Sequence, residues 1–412
     1  MKIIEGSITT PKGFLANGIA AGLKKHKKDM AVLLSTTGCT AAGAFTTNLV
    51  KAAPVLWDMD VVNSGKDVFA IVVNSGNANA YTGEQGLKDA KTMAECTALA
   101  LNKNKKLLPK LEAGNILVSS TGVIGVPLVM DTVQNGIIKC VKGLKRENGH
   151  LAAVAICTTD THTKEVAVEL VIEGKKVHLA GMAKGSGMIH PNMATMLSFI
   201  TTDAKVKKES LQKLLGNTIV DSYNMVSVDG DTSTNDTVIT LANGQSQISE
   251  LSESSPDWPQ FVEAFTYIHT FLAKEIVRDG EGASKFIEVR VKGTESVADA
   301  RVLAKSVISS SLVKAAFFGS DANWGRILCA MGYSGVKFDP SRVSLSFSSG
   351  KGEIQVVDNG QPLTFDEFRA KTILLEKEVH VEVSVGEGSF EATAWGCDLT
   401  YEYVRINGDY RS

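Results

Sequence analysis

The run Gly181-Met182-Ala183-Lys184-Gly185-Ser186-Gly187-Met188-Ile189-His190-Pro191-Asn192-Met193-Ala194-Thr195-Met196-Leu197-Ser198-Phe199-Ile200 changes character partway along. Its first part holds Gly181, Gly185 and Gly187 with Lys184 and Pro191, which predicts an irregular, exposed loop. From Thr195 to Ile200 it is apolar and partly alternating, which predicts a strand. Thr195, preceded by the small Ala194, therefore stands where a loop enters a sheet. A break of the Ala194–Thr195 bond would leave Thr195 with a free α-amine beside its own hydroxyl. That amine titrates near neutrality and can take the hydroxyl proton, so one residue would act as nucleophile and base. The plainer interpretation of this segment alone is a glycine-rich turn ahead of a buried strand.

At 412 residues the chain is long enough for two or three cores. A hydrophobic share of 44% and a charged share of 21% suit a soluble globular protein. The formal net charge of −2 gives no electrostatic basis for a nucleic-acid or anionic-membrane partner. One basic run, Lys24-Lys25-His26-Lys27-Lys28, predicts a solvated loop or turn. The six cysteines, Cys39, Cys96, Cys140, Cys157, Cys329 and Cys397, form no close pair, which excludes the common zinc spacings and suggests reduced, mostly buried thiols. The amino terminus has neither the apolar centre of a signal peptide nor the composition of a transit peptide, and no window reaches the length of a membrane span. The expectation is a cytoplasmic protein.

Ala31–Leu34 and Val68–Val73 are apolar runs that predict buried strands, the second leading into Asn74-Ser75-Gly76-Asn77-Ala78-Asn79, where amide side chains can hold turns. Leu87–Leu101 and Thr132–Leu144 have helical periodicity. Asn115–Ser119 predicts a strand that ends at Ser120-Thr121-Gly122, and a glycine there frees backbone N–H groups to face a ligand. Ala152–Cys157 is a small apolar run before the hydroxyl-rich Thr158-Thr159-Asp160-Thr161. Lys164–Ile172 and Lys176–Ala180 predict a hairpin. Leu211–Asn224 and Trp258–Val277 predict helices, and Thr237–Ala242 a strand. The polar stretch Asp229–Asp236 lacks the spacing of a calcium loop and predicts turn bonds rather than a metal site. Glu281, between Gly280 and Gly282, is either part of a helix cap or a substrate contact. A boundary is expected after Gly282, near Lys292-Gly293. Beyond it lie a helix (Val297–Ile308), a glycine-rich turn (Phe318–Arg326), strands near Val343–Phe347, Glu353–Val357, Val379–Val385 and Ser389–Ala394, and a helix at Phe365–Leu374. Interleaved helices and alternating strands predict layered α/β or α+β sheets. No Walker loop, dinucleotide fingerprint, His-Glu-Xaa-Xaa-His or serine elbow is present.

The opening run, with its Lys-Gly-Xaa-Gly-Met loop leading to Ala-Thr-Met-Leu, resembles the self-processing site of the ornithine acetyltransferase family. The resemblance recurs in order at Asn74–Ala80, Ser119–Gly125, Thr158–Thr161, Asp229–Thr237, Phe318–Arg326 and Ile406–Tyr410, from one end of the chain to the other. It implies a self-processing N-terminal-threonine-nucleophile fold of the L-aminopeptidase/ornithine acetyltransferase type, an α/β (α+β) layered sandwich. It also implies a cut between Ala194 and Thr195 into an α chain (1–194) and a β chain (195–412). Within the second, 195–290 would complete the sandwich and 291–412 would form a smaller α+β domain.

The implied activity is transfer of acetyl from N-acetyl-L-ornithine to L-glutamate in arginine biosynthesis, through an acetyl-Thr195 intermediate. Thr121 and Gly122 fall on the family's oxyanion hole. Thr158, Lys184, Thr195, Glu281, Asn407 and Ser412 fall on its substrate contacts. A lysine for a carboxylate and a glutamate for an ammonium suit amino-acid substrates. The family assembles as an α2β2 heterotetramer and needs no cofactor or metal, while some members also use acetyl-CoA as donor; a real but weaker activity of that kind is expected. Gly408 replaces the usual alanine and Ser412 the frequent terminal threonine, and serine keeps the hydroxyl. Two rival readings are an aminopeptidase or amidase of the same fold and an unprocessed binding protein.

Overall fold

The computed structural model describes residues 1–103, 108–190 and 196–409. The chain begins with β1 (Lys2–Ile4), β2 (Phe14–Ile19) and β3 (Met30–Phe45), then α1 (Ala53–Ser64), β4 (Val68–Asn77), α2 (Gly83–Asn102), β5 (Ile116–Val123), α3 (Met130–Lys142) and α4 (Gly149–Ile156). A hairpin of β6 (Lys164–Ile172) and β7 (Lys175–Lys184) precedes β8 (Leu197–Thr202), α5 (Lys208–Val220), β9 (Val226–Ser227), β10 (Thr237–Ala242) and α6 (Trp258–Arg278). The rest is β11 (Phe286–Thr294), α7 (Val297–Ser309), α8 (Ser311–Phe318), α9 (Trp324–Gly332), β12 (Ser344–Ser349), β13 (Gly352–Asp358), β14 (Gln361–Pro362), α10 (Glu367–Leu374), β15 (Glu378–Ser384), β16 (Phe390–Cys397) and α11 (Tyr401–Asp409).

Nine strands share one hydrogen-bonded system in the order β1-β6-β7-β8-β10-β3-β4-β5, with β2 also on β3. The long β3 makes this possible, because its first half pairs with β2 and β4 and its second half, Thr40–Phe45, pairs with β10. A register shift between Leu34 and Cys39 marks the change of partner. The two halves pack on each other: Leu33, Ile71, Val73 and Leu117 share a buried cluster with Met182, Leu197, Phe199 and Ile239. Alternation along the strands sends Val32, Val72 and Val118 outward to α2 and α3, and Ile200 and Val238 outward to α5 and α6. The product is the expected layered sandwich, helix on sheet on sheet on helix. Each fully buried Leu, Ile or Phe in it contributes roughly 1.5–3 kcal/mol.

The second sheet runs β14-β13-β12-β15-β11-β16-β9. One face buries Val289, Val291, Val381 and Val383 against α7 and α10. The other carries charge, with Arg290 on Glu391 at 2.6 Å and Lys292 paired with Glu382. β11 lies wholly in this sheet, so the expected division at 290/291 would cut a strand; the two sheets part in the turn after α6. β9 also belongs here, so residues 195–290 supply both sheets.

Two local expectations differ from the structure, and one apolar run with no element expected of it is helical. Gly181–Lys184 is buried strand at the end of β7 rather than exposed loop, and Gly185 and Ser186 are buried too. The reason is packing: a Cβ at Gly181 would lie 2.8 Å from Leu272 Cδ1 and 3.0 Å from Ile268 Cγ2, so this glycine lets α6 settle on the sheet. Residues 152–156 of the small apolar run lie in helix α4. The glycine-rich turn shrinks to the link between α8 and α9, where the Asn323 side chain caps the Arg326 N–H. Among the described residues no helix is long and apolar enough to cross a membrane.

Candidate active site

Thr121, Gly122, Thr158, Lys184, Glu281 and Asn407 come from five distant parts of the chain, and all line one cleft of about 710 Å³. Met196 and Leu197 line it as well, which puts the start of β8 in its wall. Ala194, Thr195 and Ser412 lie outside the described residues.

β5 ends the strand order, so among the described residues one of its edges has no strand beside it. Gly122 pairs with Gly76 of β4, and its φ of +132° is a conformation other residues rarely adopt. A Cβ there would stand 2.3 Å from the Gly76 carbonyl carbon and 2.5 Å from Asn77 N. The Thr121 hydroxyl has no hydrogen-bond partner among the described residues. The Asn235 amide donates to Ala78 O at 2.6 Å and to Ser120 O at 2.9 Å, tying the turn after β4 to β5. The asparagine cluster behaves as expected: Asn74 donates to Asn77 O at 2.8 Å and accepts the Ser120 hydroxyl at 2.6 Å.

Two charged groups face each other's neighbourhood in the cleft. Lys184, at the end of β7, is 7% exposed and forms no ion pair among the described residues. Glu281 follows α6 and is held by its own N–H on Ser186 O at 2.9 Å and by the Asn407 amide on its Oε2 at 2.8 Å. Gly187 makes room for it, since a Cβ at that position would lie 2.3 Å from the Glu281 carboxyl carbon. A cation and a carboxyl that line one cleft, neither with an ion-pair partner among the described residues, are the complement of an amino acid's own carboxylate and ammonium. Glu281 thus belongs to the cleft wall, and not merely to the end of a helix.

The clamp beneath these groups escaped sequence reasoning. The Lys164 ammonium, fully buried, donates to Asp160 Oδ1 at 2.7 Å and Asp279 Oδ2 at 2.5 Å. Asp160 also accepts the Thr158 N–H at 2.9 Å and the Gly185 N–H at 2.8 Å, and the Ser186 hydroxyl donates to Asp279 O at 2.6 Å. One lysine therefore ties together the 158–161, 185–187 and 279–282 loops. Burial opposes ionisation of Asp160, but the Lys184 and Lys164 charges outweigh it and hold its carboxyl well below the usual range. A lysine opening an alternating strand reads as a solvated end, and only its four-residue spacing from Asp160 hinted otherwise.

Asp229 accepts N–H groups from Met188 at 2.6 Å and Ile189 at 2.8 Å, and the Tyr403 hydroxyl at 3.2 Å. The Asp229–Asp236 stretch thus makes hydrogen bonds, as expected, though many reach across the chain instead of closing local turns. Among the described residues no group of acidic, histidine or cysteine side chains could hold a metal. His190 does not line the cleft; burial, with Lys305 nearby, lowers it to about 4, and its Nδ1 lies 3.0 Å from Ser227 Oγ.

A family model described as the ArgJ family matches residues 15–412. The arginine biosynthesis bifunctional protein ArgJ of Caldanaerobacter subterraneus subsp. tengcongensis is 51% identical over 412 residues, covering 100% of both chains. The mitochondrial protein of that name from Schizosaccharomyces pombe is 47% identical, covering 100% of this chain and 94% of its own. The crystal structure of the Bacillus halodurans arginine biosynthesis bifunctional protein argJ is 43% identical with a TM-score of 0.50. It is matched over 100% of its own chain and 52% of this one, close to the share that residues 195–412 make up.

Proposed function

Because the chain belongs to the ArgJ family, we infer that it is an acetyltransferase of arginine biosynthesis that moves acetyl from N-acetyl-L-ornithine to L-glutamate. The observation that carries this reading is the convergence of Thr121, Gly122, Lys184 and Glu281 on a cleft whose wall includes Met196, the residue after Thr195. The Thr195 hydroxyl attacks the acetamide carbonyl, and its proton passes to the Thr195 α-amine. The developing oxyanion is met by the Thr121 hydroxyl and the Gly122 N–H; one such donor contributes roughly 2.7–4 kcal/mol. The carbon–nitrogen bond breaks, the proton goes to the departing amine, and ornithine leaves an acetyl ester on Thr195. The glutamate amine then attacks that ester, N-acetylglutamate forms, and the hydroxyl is restored. Dividing one amide exchange into two acyl transfers lowers each barrier. Lys184 receives the substrate carboxylate and Glu281 the ammonium, with Thr158, Asn407 and Ser412 completing the contacts.

The same hydroxyl would make the enzyme. Attack on the Ala194 carbonyl shifts that acyl group from nitrogen to oxygen, and water then hydrolyses the ester. The α chain (1–194) and β chain (195–412) would remain associated as an α2β2 heterotetramer in the cytoplasm, without a cofactor or metal. The length of the Bacillus chain agrees with such a cut. The test is mass spectrometry of the purified protein, followed by incubation with acetylornithine and glutamate. Two fragments, one beginning Thr-Met-Leu-Ser, and formation of N-acetylglutamate are expected. Thr195→Ala should give one intact chain and no product. Release of acetate without N-acetylglutamate would instead establish a hydrolase.

A further inference from the structure

The stretch from Val228 to Thr237 bonds to the chain on both sides of Ala194 and Thr195. On the amino side, the Val228 N–H donates to Ile189 O at 2.7 Å and the Thr232 hydroxyl to His190 O at 2.7 Å. The Asp229 carboxylate takes the Met188 N–H on one oxygen at 2.6 Å and the Ile189 N–H on the other at 2.8 Å. Ile189 and Thr232 also face each other in an isolated antiparallel bridge. Met188 is held at a φ of +56°, which a residue with a side chain rarely adopts, and its N–H is one of the two that Asp229 grips. On the carboxyl side, the Thr237 N–H donates to Met196 O at 3.0 Å, and β10 continues beside β8 from there.

The same stretch is anchored from behind. The Asn48 amide donates to Thr232 O at 3.0 Å, the Thr46 hydroxyl to Ser233 O at 2.8 Å, the Ala52 N–H to Thr234 O at 2.9 Å and the Thr46 N–H to Asp236 O at 3.0 Å. The Asn235 amide reaches Ser120 O, next to Thr121. A segment tied to the first sheet behind and to both flanks in front acts as a splint. Flanks ordered in advance spare the residues between them part of the conformational entropy of bringing a hydroxyl onto a carbonyl. Backbone N–H groups on a carboxylate make charge-assisted bonds, so Asp229 is the firmest point of this splint. Among the described residues neither Asp229 nor Thr232 lines the cleft, so contact with substrate does not account for them.

We propose that Asp229 and Thr232 are positioning residues for self-cleavage before Thr195, acting through the backbone of Met188, Ile189 and His190. The proposal rests on the reading that the chain cuts itself there, and it assigns residues to the first step of that cut. In this step the Thr195 oxygen bonds to the Ala194 carbonyl carbon, the carbon–nitrogen bond breaks, and the hydroxyl proton ends on the freed amine. Water then adds to the ester, which returns the hydroxyl to Thr195 and leaves a carboxyl on Ala194. Attacker and acceptor belong to one short run of chain, so the positions of its two ends govern how often they meet. Acetyl transfer in the finished enzyme needs no such constraint on Ala194.

Cell-free synthesis of the full chain, with cleavage followed on denaturing gels, tests this. In Asp229→Asn the side chain offers an oxygen to only one of the two N–H groups and turns its own N–H groups on the other. The half-time of cleavage should lengthen by about tenfold or more, as for loss of a hydrogen bond to a charged group. Thr232→Val, of the same shape without the hydroxyl, should also slow cleavage, whereas Thr232→Ser keeps the donor and should cleave within about twofold of the wild type. Once matured, Thr232→Val should exchange acetyl between acetylornithine and glutamate with kcat within about twofold of the wild type, a split that a general distortion of the fold does not produce. Hydroxylamine, which intercepts an ester, should not restore the Asp229→Asn rate, because the ester is what fails to form. The proposal is overturned if Thr232→Val cleaves as fast as the wild type, if Thr232→Ser is as slow as Thr232→Val, or if exchange falls in proportion to cleavage. Restoration of Asp229→Asn by hydroxylamine would overturn it too, by moving the effect to the hydrolysis step. Should Asp229→Asn fail to fold, judged by circular dichroism of its Thr195→Ala form, the Thr232 pair decides alone. A wild type that never cuts before Thr195 would instead sink the cleavage reading beneath the proposal.

Discussion

Gly122 and Gly187 are positions where one added methyl group would reach the chemistry, and they would fail differently. At Gly122 the intruding carbon meets the backbone of Gly76 and Asn77, which cannot step aside without moving the end of β5. Gly122→Ala should therefore displace an oxyanion donor, with kcat reduced by roughly 10²–10³ and self-cleavage slowed as well. At Gly187 the obstacle is the end of a flexible side chain, the Glu281 carboxyl. Gly187→Ala should leave cleavage intact and misplace one charge-assisted substrate contact worth roughly 1.5–3 kcal/mol, which is about ten- to hundredfold in KM. Steady-state kinetics on both variants checks the contrast, and equal losses in kcat would refute it. Gly122 was legible as a strand-end glycine. Gly187 was seen only as part of a loop, because the residue it makes room for lies almost a hundred positions away.

Among the elements, β6 contributes most to the site through its first residue. Lys164→Met keeps the volume but leaves Asp160 and Asp279 buried without their cation. Breaking a buried pair from one side costs about 3–5 kcal/mol, so the midpoint of urea unfolding should fall clearly. The pH dependence follows from Asp160. Its folded value lies below its unfolded one near 4, so its contribution is present above about pH 4 and is lost as pH falls through that value towards the folded one. Asp160→Asn should narrow the difference in unfolding free energy between pH 7 and pH 3, and an unchanged difference would deny Asp160 that part. Elements with clear periodicity were readable: β10 is the expected Thr237–Ala242, and α6 differs from the expected helix by one residue. Helix α11 was not, because Tyr401–Asp409 has no buried face to leave a stripe in the sequence. Residues 181–184 misled because glycine was taken to signal a loop, when Gly181 is there to admit a helix.

At the scale of the molecule, layering was legible because alternating strands and amphipathic helices each have a face to bury. The change of partners along β3 was not, since Ser35-Thr36-Thr37-Gly38, where the apolar run breaks, reads as the end of a strand and not as the point where one continuous strand changes partners. That strand order has a consequence for a protein cut before Thr195. β8 and β10 would belong to the carboxyl-terminal piece, yet they lie between β7 and β3 of the amino-terminal piece. Neither piece would own the nine-stranded sheet whole. The uncut Thr195→Ala chain should recover from urea at a rate independent of protein concentration. The mature enzyme, in which two separate molecules must meet to interleave their strands, should recover with second-order kinetics and fade as it is diluted. Stopped-flow fluorescence over a hundredfold range of dilution separates the two. A protein born as one chain would thus lose, at the moment it becomes active, the easy way back to its own fold.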